Sequence, residues 1–453
     1  MIEPKSREST TAPTISGLIP SDGPWPVSRR LAGIGLIMAR RLVVLGGLTA
    51  RSALRRHGRP RPPDTWLLDT ITALGPAFVK VAQMLSTRAD LLPPEKCQAL
   101  AALHDNVLPM PARELAPVLV RSLGAATART IVEQADQRGG PVASGSIACV
   151  YRATLPDGRD VAVKVRRPGI GATLRIDLTI MRRCGRLLSF LPGMRGVPVA
   201  EIIGQLSNAV YAQLDFDQER RNLVLLREIL DEQPGVHVPA VHEDLCGDGV
   251  LTMEFLSGLR RRTPDMLTAD ERTGAVLAAL HAVYQMLFHD GLVHCDLHPG
   301  NLYLGPGAEA TIVDAGFTVR LSQHAQDKFS SFFYYMSVGK GEKCADVVLS
   351  TATPYSRTDV AGFRAEIIAL IESHTGVPAA EFDLIHFATK LFDIQRRYHL
   401  YADPQFVFPI LSLLVLEGTV REFAPDIAFQ DEAIPFLAGA MISRTLQMAK
   451  QQT

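Results

Sequence analysis

None of the six cysteines in this 453-residue chain has a partner at CxxC spacing. Cys97, Cys149, Cys184, Cys246, Cys295 and Cys344 are scattered, which argues against a zinc knuckle or a compact disulfide framework and fits a reducing compartment. Neither sign of charge is in excess, since 47 Lys and Arg stand against 47 Asp and Glu. No global basic field exists to gather nucleic acid, and none is expected as a partner. A continuous apolar run of eighteen residues is also missing. Residues 31–50 come nearest but carry Arg40 and Arg41 in their middle, each costing about 2.5–3.5 kcal/mol at the centre of a bilayer. A spanning helix is disfavoured there, which leaves a helix packed on the domain or an interfacial helix with its arginines among lipid head groups. Residues 406–416 are too short to span and contain Pro409. The first 25 residues are rich in Ser, Thr, Pro and Gly, lack the apolar core of a secretory signal, and are expected to form a disordered tail. A cytoplasmic protein, with a membrane surface as its one candidate attachment, is the resulting expectation. No fixed-period repeat is visible.

What is present is ordinary globular composition, 47% hydrophobic and 21% charged, which rules out a mostly disordered or fibrous chain. Helical periodicity runs through residues 65–88, with Leu67, Leu68, Ile71, Leu74, Phe78, Val81 and Leu85 on one stripe, after an Arg- and Pro-rich linker at 55–63. Pro93-Pro94-Glu95 opens another helix. The pattern changes near Pro141. Residues 150–153 and 161–165 flank the turn Pro156-Asp157-Gly158 and predict a β-hairpin. Residues 174–191 and 202–230 predict helix, 250–255 a strand closed by Ser257-Gly258, and the remainder from about 267 is mostly helical. A short β layer followed by a helical half predicts an α+β protein of two lobes.

Four segments in order carry the chemistry. Ala143-Ser144-Gly145-Ser146 is a loop of small residues before a strand, where backbone N–H groups can approach phosphate oxygens, although GxGxxG spacing is missing. Val161-Ala162-Val163-Lys164-Val165 places a lysine within an apolar strand, and a buried ammonium needs an anionic partner. It matches the V-A-I-K strand whose lysine holds nucleotide phosphates. His294-Cys295-Asp296-Leu297-His298-Pro299-Gly300-Asn301 puts Asn five positions after Asp, the spacing of a catalytic carboxylate and a metal-binding amide in kinase loops. His294 and His298 are read as braces of that loop. Thr311-Ile312-Val313-Asp314-Ala315-Gly316 ends a β-like run in Asp-x-Gly, suited to a carboxylate that holds Mg²⁺ between phosphates.

The string HCDLHPGN, with VAVKVRRPG before it and VDAG after it, resembles the UbiB family of atypical protein-kinase-like ATPases over residues 74–417. The segment from Leu74 to Arg88 is similar to that family's KxGQ helix, with Lys80 and Gln83 at the matching positions. The resemblance implies a two-lobed protein-kinase-like fold with an N-terminal helical extension over the nucleotide cleft. It divides the chain into a tail (1–25), the extension (26–135), an N-lobe with a helical insertion (136–258) and a helical C-lobe (259–453). It further implies Mg-ATP as cofactor, Asp296 and Lys164 as catalytic residues, and Asn301 and Asp314 as metal ligands. The same resemblance implies that Glu219 partners Lys164 and that Ala143, Ser144, Gly145, Ser146 and the interlobe residues Met253, Glu254 and Phe255 line the nucleotide. Gln213-Leu214-Asp215 and Asn222 match the family's ExD segment and its continuation, and the resemblance implies that Lys80 and Gln83 reach the cleft from above.

Four positions depart from the family pattern: Ala82 for glycine, Gln213 for the first acid of ExD, Gly145 for alanine, and Ala315 for the phenylalanine of DFG. Lys164, Glu219, Asp296, Asn301 and Asp314 are all present. The implied function is ATP hydrolysis supporting quinone or isoprenoid-lipid metabolism at a membrane surface. A pseudokinase scaffold without turnover and a true protein kinase are the alternatives.

Overall fold

The β-branched residues on either side of Pro156-Asp157-Gly158 form the expected hairpin, Ala148–Thr154 against Asp160–Arg166. In the computed structural model, which describes residues 25–54, 64–103, 109–190, 198–259, 263–354, 358–375, 381–440 and 442, this hairpin is the centre of a four-stranded antiparallel sheet. Ala143–Ser144 forms one edge and Val250–Glu254 the other. Successive strand side chains point to opposite faces, so the alternation sorts the sheet into two surfaces. Cys149, Tyr151, Ala153, Val161, Val163 and Val165 pack with Leu115, Leu119, Ala128 and Ile131 from helices Ala112–Leu123 and Ala125–Gln137. The opposite face carries Ala162, Leu251 and Met253 into the main core, and Lys164 lies on that face in register with Leu251.

Helix Phe216–Leu230 covers the second face. Asp215 caps it by accepting from the Gln218 N–H at 2.9 Å, a contact of the kind typically worth about 1 kcal/mol. Its buried residues are Phe216, Glu219, Asn222, Leu223, Leu226 and Leu230. Spacings of three and four put two polar side chains, Glu219 and Asn222, on the inward stripe. The same cap corrects the expectation of one continuous helix over 202–230. The chain forms Val199–Ala212 and then Phe216–Leu230, because the Asp215 carboxylate accepts from the Gln218 N–H and so caps a new helix.

A second correction concerns residues 65–88, which form two helices, Asp64–Leu74 and Pro76–Ser86. Gly75 has φ 107° and Pro76 has no amide hydrogen, so the ladder stops there although the apolar stripe runs on. Pro76–Ser86 packs against helices Ile170–Leu188 and Val199–Ala212. Beyond it, Arg88 is paired bidentately with Asp90, at 2.7 Å for each bond, and stands over the ring of Phe408. Arg396 donates to the Ala89 carbonyl.

The C-terminal half is less uniformly helical than expected. Helices Ala269–Tyr284, Gln323–Ser337 and Pro404–Phe423 share an aromatic core including Phe288, Phe329, Phe332 and Phe406. Short strands are inserted between the first two of these helices, and one more, Val236–His237, lies ahead of them. Leu302–Gly305 pairs with Glu309–Ile312, which runs parallel to Val236–His237, and Leu292–His294 pairs with Thr318–Arg320. These two small ladders bracket residues 295–301 and 313–317 and hold them side by side.

The chain divides into two compact units, Met1–Pro62 and Pro63–Thr453. In the first, residues 25–54 form one helix without Asp or Glu, with Leu31, Leu36, Leu42, Val43 and Val44 exposed and Arg29, Arg40 and Arg41 among them. Among the described residues no helix is long and apolar enough to cross a membrane. The expected tail at 1–25 lies outside the described residues except for Trp25.

Candidate active site

Lys164 reaches from the sheet into a pair of carboxylates. Its Nζ donates to Glu219 Oε1 at 2.6 Å and to Asp314 Oδ2 at 2.7 Å. The expected ion pair with Glu219 is present, and Asp314 joins it. Side-chain exposure is 15% for Lys164, 1% for Glu219 and 30% for Asp314, so the triad opens to solvent on the Asp314 side. Two negative charges share one positive charge here. Burial pushes the Glu219 carboxyl up, Asp314 adds to this, and Lys164 offsets only part, leaving it at about 7. Burial also opposes ionisation of Asp314, but Lys164 and the Gly316 N–H, which donates to Oδ1 at 2.8 Å, outweigh it and hold the carboxyl well below the usual range. Burial opposes the Lys164 ammonium as well, and the two carboxylates reverse that, raising it above an ordinary lysine.

Helix Phe216–Leu230 also holds the Asp-x-Gly turn by its backbone. Asn222 Nδ2 donates to the Ala315 carbonyl at 3.0 Å, and Gln218 Nε2 donates to Asn222 Oδ1 at 2.8 Å. Thr318 Oγ1 donates to the same Ala315 carbonyl. From the other side, His294 Nε2 contacts the Asp314 carbonyl while its Nδ1 accepts from the Asp296 N–H at 3.2 Å. This pattern selects the neutral tautomer protonated at Nε2. Burial lowers the pKa of this ring, in keeping with a neutral brace.

The catalytic-loop candidates lie next to the triad's aspartate. Asn301 Nδ2 donates to the Asp296 carbonyl at 2.9 Å, and the Asn301 carbonyl accepts from the Val313 N–H. His298 Nδ1 accepts from the Gly300 N–H at 2.9 Å, and its Nε2 stands 3.8 Å from Asp296 Oδ1. Both histidines therefore brace the loop. Among the described residues no group of three or more His, Cys, Asp or Glu converges. Asn301 and Asp314 offer an amide oxygen and a carboxylate oxygen, hard donors suited to a cation that takes its remaining ligands from phosphate and water.

In the small-residue loop, Gly145 N–H donates to the Ala148 carbonyl at 2.9 Å, and Ser146 is buried. Gly145 does not have a positive φ, so its backbone conformation is one that alanine can also adopt. At the interlobe strand, Met253 is in the core and Glu254 Oε2 accepts from His237 Nε2 and the Ala240 N–H, both at 3.2 Å. The Phe255 ring lies under Arg152, 4.3 Å away. Ala143 is exposed at the sheet edge. Gln83 Nε2 donates to the Leu103 carbonyl at 3.1 Å, and its Oε1 is buried with no partner among the described residues. Lys80, one turn earlier on the same helix, is half-buried.

The profile of the ABC1 atypical kinase-like domain matches residues 102–348, and that of the UbiB helical domain matches residues 367–428. A Marinobacter nauticus protein called "Probable protein kinase UbiB" is 31% identical over 379 residues, 82% of this chain and 69% of the relative. The chain belongs to the UbiB family of atypical kinase-like proteins. A Pseudomonas putida UbiB relative of the same printed name is 30% identical over 380 residues, covering 82% of this chain and 69% of its own. A solved complex of a Mycobacterium tuberculosis protein with erythromycin is 21% identical, with a TM-score of 0.48, and the match covers 85% of this chain and 98% of that one.

Within the UbiB pattern, the departures fall on well-supported positions. Ala82 is buried with Leu100 and Leu103, Ala315 is fully buried with its carbonyl doubly bonded, and Gln213 is the C-cap residue of helix Val199–Ala212. Two residues escaped attention in the sequence: Arg167, which donates into the small-residue loop, and Gln218, which orients Asn222. For Gln218 the available signal was its position four residues before Asn222 on a helix. Because Gly145 lacks a positive φ, Gly145→Ala is expected to leave apo thermal stability nearly unchanged. It should change the ratio of ATP to ADP affinity by about threefold, well under 1 kcal/mol. Parallel titrations of both nucleotides check this, and an unchanged ratio removes Gly145 from phosphate seating.

Proposed function

We propose that this UbiB-family protein is an atypical kinase-like ATPase that binds Mg-ATP and supports quinone or isoprenoid-lipid metabolism at a membrane surface. The observation that carries the reading is Lys164, held at 2.6 Å and 2.7 Å between a helix glutamate and the Asp-x-Gly aspartate. A lysine so placed can hand part of its charge to phosphate oxygens, while Glu219 keeps it from swinging away. Mg²⁺, when bound, would neutralise the β- and γ-phosphates, with Asn301 and Asp314 as its protein ligands. Asp296, about a quarter exposed, would orient the attacking hydroxyl or water. The residues from Ala143 to Ser146 would contribute backbone N–H groups to the phosphates, and Met253, Glu254 and Phe255 would border the base. Lys80 and Gln83 belong to the extension that would close over this cleft.

Support for a membrane surface comes from helix Trp25–Leu54, which combines exposed Leu and Val with arginines and no acid. A protein acceptor is the second reading, favoured by the printed name of the relatives. The test is phosphate release from the purified chain with Mg-ATP, with and without vesicles containing anionic phospholipid. Magnesium-dependent release that rises with vesicles is expected, with both the rise and vesicle co-sedimentation falling when residues 31–50 are deleted. No release in any condition sinks the ATPase reading. Transfer of labelled phosphate to protein at the rate of ATP loss favours the second.

A further inference from the structure

Arg167 lies just beyond the strand that carries Lys164, in a run, Arg166-Arg167-Pro168, that looks like solvated surface in the sequence. In the fold it turns back onto the small-residue loop and holds three of its acceptors. Its own N–H donates to the Ile147 carbonyl at 2.9 Å, its Nε to the Gly145 carbonyl at 2.9 Å, and its Nη2 to Ser144 Oγ at 2.9 Å. Neighbouring Arg166 points elsewhere, to the Leu214 carbonyl and Asp248. The two adjacent arginines therefore have different tasks.

The loop geometry gives the clamp a consequence. Gly145 and Ala148 flank Ser146-Ile147 as in a two-residue hairpin, and one rung of that hairpin, Gly145 N–H to the Ala148 carbonyl, is formed. The Gly145 carbonyl, which closes the other rung in an ordinary tight hairpin, instead accepts from Arg167 Nε. A trans peptide sets its C=O and the following N–H pointing in opposite directions within one plane. Holding the Gly145 carbonyl toward Arg167 therefore aims the Ser146 N–H to the opposite side. That amide sits at the tip of the loop, where a backbone donor can meet a phosphate oxygen.

We infer that Arg167 is a positioning residue for the phosphate-facing loop, setting the direction of the loop amides from behind and not through direct contact with the nucleotide. The inference rests on the nucleotide-site reading above. Arginine is required because Nε and Nη2 present two donors at fixed separation in one plane, one for the Gly145 carbonyl and one for Ser144 Oγ. A lysine keeps the charge and loses the fork. Gly145 fits the same arrangement, since its carbonyl is the anchored atom and its missing side chain leaves the loop thin.

The experiment uses the full chain with Arg167→Lys and, as a milder probe that removes only one anchor, Ser144→Ala. Amide hydrogen exchange over residues 143–148 in the nucleotide-free protein should speed up at least about tenfold in Arg167→Lys and less in Ser144→Ala. Affinity for ATP should fall about tenfold in Arg167→Lys, with adenosine binding within about twofold of the parent. Unchanged exchange overturns the clamp. Faster exchange with an unchanged ATP-to-adenosine ratio overturns its role in positioning phosphate, and so does an equal loss for both ligands. A parent protein that binds neither ATP nor adenosine overturns the nucleotide reading and the positioning role together, whereas the other outcomes leave that reading standing.

Discussion

Lys164→Met is expected to destabilise the apo protein by about 3–5 kcal/mol at pH 8, because it leaves the buried Glu219 carboxyl facing the partly exposed Asp314 without a counter-charge. The effect should exceed that of Glu219→Gln, after which Lys164 still has Asp314. The pH dependence separates this cause from simple loss of packing. In the parent, Glu219 titrates at about 7 in the folded state against an ordinary value of 4.5. The folded protein therefore holds more proton than the unfolded chain between those values, and this group's contribution to stability falls as pH rises through that window. Without Lys164 the carboxyls are pushed higher still, so the variant should recover a large part of its lost stability on going from pH 8 to pH 5.5. Urea unfolding at both pH values is the measurement. A pH-independent loss, or none at pH 8, would mean that the triad does not carry the charge balance described. Nucleotide affinity should fall alongside, since the same ammonium is the proposed phosphate contact.

The second large effect is expected from Asp314→Asn. The substitution keeps the shape, removes the charge that helps raise Glu219, and leaves Lys164 and Glu219 as a one-to-one pair. The Asp314 carboxyl is held well below its ordinary range and accepts from both Lys164 and the Gly316 N–H, so its charge stabilises the fold at neutral pH and apo stability should fall below that of the parent. Metal-dependent nucleotide binding should suffer as well, because a neutral amide oxygen replaces the hard anionic ligand. The gain in ATP affinity on adding Mg²⁺ is expected to shrink by tenfold or more, about 1.4 kcal/mol. Calorimetric titration with and without Mg²⁺ measures it directly. An unchanged gain would remove Asp314 from the coordination shell.

Much of the site could be read from the chain because its parts are local. A lysine inside an apolar strand, an asparagine five positions after an aspartate, and a strand ending in Asp-x-Gly each follow from short-range backbone geometry. Glu219 was legible only through the family resemblance, although its place on a buried helical stripe beside Asn222 is a physical signal of the same fact. The helix breaks at Gly75 and at 213–215 were missed because the apolar stripe continues across both. Periodicity records which side faces the core and is blind to whether the hydrogen-bond ladder continues. Arg167 was missed for a different reason, since it lies 22 positions along the chain from Gly145 with a whole hairpin in between.

By itself the sequence determined the two-layer organisation of the small sheet, the order of the chemical segments and the face on which Lys164 stands, because period-two alternation is a property of one strand and its immediate neighbours. Only the tertiary structure decided what that lysine meets. Glu219 is 55 residues away and Asp314 is 150 away, and they converge because helix Phe216–Leu230 covers the sheet and two small ladders press the Asp-x-Gly turn against it. The balance of two carboxylates against one ammonium, and with it the direction of every pKa shift in the triad, arises from that packing. Charge interaction depends on distance and burial, and neither is a property of position along a chain.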